Sequence, residues 1–351
     1  MTLSTPLLAA ASLLAGLMGP ALAGATPVPQ QDAPTAPSVG TEIVEHVVAG
    51  GTAELRRVLD YWTPRRMAAA LPISLLETVT GEGGLLGGLL GRHPDAGRGI
   101  GSGLGSGLGP VVPRHQAAAK PEMNTVGSRW MTGGLVARTT GRVFMTVAGA
   151  DFVCSASTIK SANRDVVLTA GHCVKDGAGE WAANWTFVPG YGADGARPYG
   201  HYVARRMFVA GPWSRSGDDN YDVGMVALAT SGGRHVADAV GTQQIAFNAP
   251  RGGQAFGFGY PADPPYDGSH LVYCAGRLKD DPYGQTRDQG LGCDMTAGSS
   301  GGPWMTKFDP ATGRGTITSL SSFKYSDDGR TMYGPYFGDA AKALLASAER
   351  A

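Results

Sequence analysis

Three separated stretches hold side chains whose types and order could perform nucleophilic chemistry. Thr296-Ala297-Gly298-Ser299-Ser300-Gly301-Gly302-Pro303 is a glycine-rich turn centred on Ser300. Glycine accepts backbone dihedrals that a Cβ forbids, so such a turn brings amide N–H groups close to an incoming carbonyl. A serine hydroxyl is a poor nucleophile at its own pKa; it needs a histidine to take its proton and a carboxylate to orient that histidine. Of the seven histidines, His46, His93, His115, His172, His201, His235 and His270, none follows Ser300. That order removes the G-x-S-x-G elbow reading, which requires serine, then acid, then histidine. His172 stands in Leu168-Thr169-Ala170-Gly171-His172-Cys173, directly after a β-branched run, where a strand end and a neighbouring cysteine would fix the imidazole. Asp222 opens the apolar run Val223 to Leu228 and is the candidate orienting carboxylate, while Asp218 and Asp219 read as a solvated turn.

The elements that must position these residues are short and β-rich. Residues 141–147, 156–159, 166–169, 185–188, 223–228, 254–257 and 315–318 read as strands, most of them bounded by Gly, Pro, Asn or Asp. Many short strands over about 220 residues predict an all-β sandwich or barrel. Helical signal returns at the end, where Asp339 is placed to cap Ala340 to Ala348. Before the β-rich region, Leu55, Val58, Leu59 and Trp62 form one apolar helical stripe, and Thr63-Pro64 reads as an N-cap followed by proline at the first helical position. Residues 24–40 are rich in Pro, Ala and Gln, and Gly-Leu-Gly and Gly-Ser-Gly repeats fill 81–110, compositions that build no packed core.

Lys+Arg and Asp+Glu both total 29, so charge gives no footprint for nucleic acid or an anionic membrane. The apolar run from Pro6 to about Leu17, broken at Gly19-Pro20 and ending in Ala21-Leu22-Ala23, reads as a secretory signal peptide despite lacking a basic residue before it. It is too short and too early broken to span a membrane. Cys154, Cys173, Cys274 and Cys293 suit an oxidising compartment, and the absence of C-x-x-C argues against zinc or redox chemistry. Three pairings are possible; Cys154 with Cys173 and Cys274 with Cys293 are expected, each closing about 19 residues and worth roughly 3 kcal/mol in the chain-entropy model. Gly190 to Gly195 matches G-x-G-x-x-G, but Ala196-Arg197-Pro198 follows where a helix should open, so dinucleotide binding is not expected.

T-A-G-H-C at 169–173, N-Y-D-V at 220–223 and G-S-S-G-G-P at 298–303 resemble the signature blocks of the chymotrypsin-like serine peptidases, in that family's order. Cys293-Asp294-Met295-Thr296 and Met332 to Phe337 are similar to secreted bacterial members near the glutamyl endopeptidases, and Tyr61-Trp62-Thr63-Pro64 resembles their pro-regions. The resemblance implies two six-stranded antiparallel β-barrels with a C-terminal helix. Signal peptide 1–23, pro-region and linker 24–120 and peptidase domain 121–351 follow, the last with barrels at about 125–235 and 240–337 and the helix at 339–349. It further implies a secreted endopeptidase with His172, Asp222 and Ser300 as the catalytic residues and an oxyanion hole from the amides of Gly298 and Ser300. No cofactor or metal is implied. Protein or peptide substrates and the chain's own pro-region are the implied partners, with no nucleic acid or stable membrane association, for a monomer. A catalytically silent binding protein on the same fold is the alternative of a different class.

Two positions bear on specificity and activation. Asp294 resembles the carboxylate at the base of the trypsin pocket and Gly334 the wall glycine that keeps such a pocket open, which implies Arg or Lys before the scissile bond. A glutamyl-specific enzyme is the alternative, although the histidine that those enzymes place after the nucleophile is missing. Ser299 replaces the aspartate that receives a freed N-terminal ammonium in the animal digestive enzymes, so the pocket is expected to form on folding, with the pro-region restraining or chaperoning it.

Overall fold

β-branched and aromatic residues fill the strands that carry the site, and the ladder they form closes on itself. The computed structural model describes residues 41–48, 51–73 and 124–351; the signal peptide, the 24–40 stretch and the 81–110 repeats read from the sequence lie outside the described residues. Six strands make the first barrel: β4 (Thr140–Val147), β5 (Ala150–Thr158), β6 (Val166–Thr169), β7 (Ala183–Pro189), β8 (Tyr202–Ala210) and β9 (Gly224–Leu228). They run in the order β8-β7-β4-β5-β6-β9, every pairing is antiparallel, and β9 pairs back to β8. Closure pairs every strand of the barrel on both sides along at least part of its length, and Phe144, Trp185, Phe187 and Phe208 are fully buried within the core.

The second half is built differently from the expected six-stranded antiparallel barrel. β3 (Asn124–Arg129), β10 (Gln244–Ile245), β11 (Gln254–Gly259), β12 (Val272–Arg277), β15 (Pro303–Asp309) and β16 (Arg314–Leu320) form a sheet in the order β10-β16-β15-β11-β12-β3, with β10 parallel to β16. β13 (Lys279–Asp280), β14 (Gln289–Gly292) and β17 (Thr331–Gly334) form a separate three-stranded ribbon. The free edge of β12 is taken by β3, so the ribbon cannot add there through backbone hydrogen bonds. It is held to the sheet instead by the Cys274–Cys293 disulfide and by Leu291, whose methyl would lie 2.9 Å from a Cβ on Gly257.

Residues 41–73 pack on the first barrel. β1 (Ile43–Val47) pairs antiparallel with Arg206–Ala210 of β8, beyond the Tyr202–Val203 part that β7 covers, and β2 (Leu71–Pro72) runs parallel to β5. Between them, α1 (Thr52–Tyr61) buries Val58, α2 (Pro64–Ala69) buries Met67, and Trp62, just past the end of α1, is buried as well. Thr63 Oγ1 accepts the Arg66 amide at 3.3 Å with Pro64 at the first helical position, the arrangement read from the sequence. At the other end α6 (Asp339–Ala348) contacts β8 and β9 and buries Leu344. Its N-cap is Gly338, not Asp339: the aspartate sits one residue inside, in the first turn, and accepts from Asn248 Nδ2 at 2.8 Å. No helix among the described residues is long and apolar enough to cross a membrane.

Candidate active site

β6 ends at Thr169 and delivers His172 on a single 3-10 turn, Gly171–Cys173. The Cys154–Cys173 disulfide ties that turn back to β5. Gly171 is required there: a Cβ would lie 2.8 Å from Asp222 Oδ1 and 3.0 Å from Trp213 Nε1. Asp222 arrives from the other side, immediately after the 3-10 turn Asp219–Tyr221 and two residues before β9, and is fully buried. Because β6 and β9 are barrel neighbours, the ladder itself brings histidine and aspartate together.

Asp222 accepts three hydrogen bonds. The His172 amide donates to Oδ1 at 2.8 Å, the His172 ring meets Oδ2 through Nδ1 at 2.8 Å, and Ser322 Oγ donates to Oδ2 at 2.5 Å. Burial alone would raise this carboxyl, but the His172 charge and hydrogen bonds from His172 and Ser322 hold it below the usual carboxylate range. An ionised carboxylate only accepts, so Nδ1 donates to Asp222 Oδ2 and Nε2 is the ring nitrogen turned away from the carboxylate. Nε2 is buried and has no partner, and the same holds for Ser300 Oγ.

The Ser300 turn packs against this strand end. Ser300 O accepts the Ser155 amide at 2.7 Å and lies 3.8 Å from Cys173 Sγ, one residue from His172. Gly301 adopts φ +79°, and a Cβ there would sit 2.2 Å from Thr169 Oγ1 and 2.7 Å from the Ala170 nitrogen. Gly298 has φ +92°; its carbonyl accepts from Ser155 Oγ at 2.8 Å, which itself takes the Tyr260 amide at 2.9 Å. With that carbonyl turned inward, the Gly298 and Ser300 amides find no acceptor among the described residues. Ser299 is fully buried and closes the turn on itself, its hydroxyl donating to Thr296 O at 2.7 Å. Sequence reading missed Ser322 and Ser155: the first follows β16 and the second lies within β5, and neither stands in a recognisable spacing to His172, Asp222 and Ser300.

Asp294 and Gly334 occupy less open surroundings than the sequence implied. Asp294 Oδ1 already accepts from the Gly127 amide at 2.7 Å and from Tyr266 Oη at 2.6 Å. The buried ammonium of Lys324, brought down to about 8 by burial against the opposing pull of Asp294, donates to Cys293 O and Gly329 O nearby. Gly334 is glycine for backbone packing, since its Cβ would meet Leu320 O at 2.0 Å. Asp218 caps its turn by accepting the Asn220 amide at 3.1 Å, whereas Asp219, expected in solvent, is half-buried with Oδ1 enclosed and unpartnered. Cys154, His172 and Cys173 place donor atoms within 4.8 Å of one another, but the two sulfurs are joined in the disulfide and offer no thiolate, so the set does not fit a metal.

The chain is similar to a crystal structure of the thermostable serine protease AL20 from an extremophilic microorganism, 38% identical with a TM-score of 0.58, over 62% of this chain and 99% of that one. The chain belongs to the chymotrypsin-fold serine proteases, in their secreted bacterial branch near the glutamyl endopeptidases. Two curated relatives match over shorter stretches: an extracellular metalloprotease of Bacillus subtilis, 33% identical over 104 residues that are 30% of this chain, and a glutamyl endopeptidase of Bacillus licheniformis, 41% identical over 64 residues that are 18%. The matches span 33% and 20% of those two proteins' own lengths. No family model matches.

Proposed function

We propose that the chain is a secreted serine endopeptidase that cleaves proteins and peptides through an acyl-enzyme, with Ser300 as nucleophile, His172 as general base and then acid, and Asp222 as the orienting carboxylate. The observation that carries this reading is the pairing of His172 Nδ1 with a thrice-bonded Asp222, which leaves Nε2 and Ser300 Oγ as buried, unpartnered groups at one packed junction.

In the forward step Ser300 Oγ attacks the peptide carbonyl while His172 Nε2 takes its proton. The carbonyl oxygen becomes an oxyanion and receives the free Gly298 and Ser300 amides, donors of a kind worth about 2.7–4 kcal/mol of barrier each. The C–N bond then breaks as Nε2 returns the proton to the leaving amine, and water repeats the sequence on the acyl-enzyme. Asp222 stays ionised throughout, holding the tautomer and stabilising the imidazolium.

For the residue before the scissile bond, Asp294 supports an Arg or Lys preference by position. The second reading, an acidic preference, is favoured by Lys324, whose buried ammonium lies next to an Asp294 that two donors already satisfy. We further take 24–120 as a pro-region removed on maturation and the enzyme as a monomer, with the site assembled on folding, as the self-closed Ser299 turn supports. A fluorophosphonate tests the central claim: it labels Ser300 stoichiometrically in the parent and not in Ser300→Ala, or the reading fails. Arg-X against Glu-X peptides then separates the two preferences.

A further inference from the structure

The first barrel is not completed by its own six strands. β7 pairs with β8 only at Tyr202 and Val203, and β6 pairs with β5 only at Ser157 and Thr158. Past those short contacts the ladder splays, and residues 41–73 fill both gaps. β1 takes the β8 edge from Arg206 to Ala210, and the Val48 amide carries the pairing one step further by donating to Arg205 O at 2.9 Å. α1 lies against both β7 and β8, and β2 takes the β5 edge at Phe152 and Val153.

Between its two strands the segment supplies core. Val58, Trp62, Met67 and Ile73 belong to the same buried cluster as Phe144 and Phe152 of the barrel. Polar contacts fasten the rim: Glu45 pairs with Arg206, and Tyr61 and Arg66 both bind Asp151. Without the segment, the barrel would carry two unpaired strand edges and a hole where Trp62 stood, a combination that invites pairing with other chains and loosens packing.

This arrangement leaves the catalytic groups untouched. A Cβ on Gly298 or Gly301 would meet Tyr260, Ala262, Ser155, Thr169 and Ala170, all of the peptidase region, and His172 Nε2 and Ser300 Oγ have no partner among the described residues. The segment reaches the imidazole through an intermediary. Glu42 O accepts the Gly211 amide at 2.8 Å and its carboxylate pairs with Arg215, both on the short helix Gly211–Ser216. That helix carries Trp213, whose ring lies 6.4 Å from the His172 ring and whose Nε1 donates to Lys175 O at 2.9 Å.

Cutting the chain anywhere between 74 and 123 severs the segment covalently and breaks none of these contacts. We propose that residues 41–73 stay docked on the first barrel after such a cut, as a non-inhibitory second chain of the mature enzyme that completes the barrel and supports Trp213 behind His172. The docking surface is the pair of open edges on β8 and β5. Its partner is this chain's own segment, added as a strand at two places at once around the Trp62 anchor. The proposal rests on the pro-region reading for the cut, and on these contacts alone for the retention.

The test makes the cut deliberately. A recognition sequence for an added, unrelated protease is inserted in the 81–110 repeats of the full chain carrying Ser300→Ala, so the result holds whether or not the chain is a peptidase. After cleavage the protein is run by size exclusion at about 1 μM and each peak is identified by mass. The fragment bearing 41–73 is expected to co-elute with 124–351 in equal amount. Trp62→Ala should raise the concentration at which half the fragment is lost by about 30-fold or more, and Arg56→Ala, on the exposed face of α1, should leave it unchanged. Release of the unsubstituted fragment at that concentration, whether the remainder stays folded or precipitates, overturns the proposal. The same cut protein with Ser300 intact is then treated with the fluorophosphonate, and Ser300 is expected to be labelled within the co-eluting complex. Labelling that appears only after the fragment is stripped would make the segment an inhibitor and overturn the proposal; no labelling in either state would remove the endopeptidase reading and keep the docked segment.

Discussion

Replacing Trp62 by alanine should loosen the whole first barrel although the residue lies outside it in sequence. Trp62 is 1% exposed, packs at 5.6 Å from Phe144 in the barrel core, and donates its Nε1 hydrogen to Asn184 O on β7 at 2.5 Å. Truncating a buried tryptophan costs about 3–5 kcal/mol. At about 2–4 °C per kcal/mol for a chain of this size, the midpoint of thermal unfolding should drop by about 6–20 °C. Trp62→Phe keeps most of the apolar contact and loses the hydrogen bond, so it should cost about 1 kcal/mol and 2–4 °C.

The assay is near-ultraviolet circular dichroism on the full chain in a Ser300→Ala background, where self-processing cannot remove residues 41–73. The region is fastened at further points, by β1 on β8, by β2 on β5, and by Tyr61 and Arg66 on Asp151 at 2.7 and 3.1 Å, so the loss should appear in one cooperative transition. A midpoint within about 1 °C of the parent, in protein shown by mass to retain residues 41–73, would refute the packing argument.

Two other outcomes follow from the site. Ser322→Ala removes one of three donors to Asp222, and kcat should fall by about tenfold or more with KM little changed, read by stopped-time hydrolysis of a neutral peptide. Since Asp222 is held low in the folded chain, its stabilisation is complete above about pH 4 and is lost as pH falls through the native value; the variant raises that value, so acid unfolding should begin at higher pH. Gly301→Ala places a Cβ 2.2 Å from Thr169 Oγ1 at φ +79°, and should cost well over about 1 kcal/mol while abolishing fluorophosphonate labelling, whereas retained labelling would show that the turn relaxes.

The first barrel was legible because its strands are fully buried, so β-branched runs such as Val166-Val167-Leu168-Thr169 stand out against glycine and aspartate punctuation. Strand β8 was not: Arg205 and Arg206 interrupt its apolar pattern, and they belong there because Arg206 pairs with Glu45 of β1 and Arg205 reaches the chain's last carbonyl at 2.6 Å. The second half misled for a related reason. Pairing partners are set by which edges remain free, and the β12 edge is taken by β3, far away in sequence (Val272 opposite Arg129), beyond the reach of local periodicity. Trp62 and Val58 could be read as an apolar stripe, but the stripe alone does not name the surface it meets.

At the site, sequence order carried the pairing of imidazole and carboxylate because adjacent strands deliver them, and no long-range information beyond the motif was needed. Ser322 was hidden because a serine after a strand is common and only the coordinates reveal its aim at Asp222 Oδ2. Asp219 is the instructive failure. A run of acids beside polar residues is usually solvated, and Asp218, capping its own turn, fits that rule. What breaks the rule one residue later is the arrival of a distant segment, fixed by Asp281 and sealed by the Arg287 to Asn220 hydrogen bond, which buries a second carboxylate behind the first. Two acids that each look ordinary in sequence become, once buried without donors, carboxylates that desolvation first and their like-charged neighbours second push above the usual range.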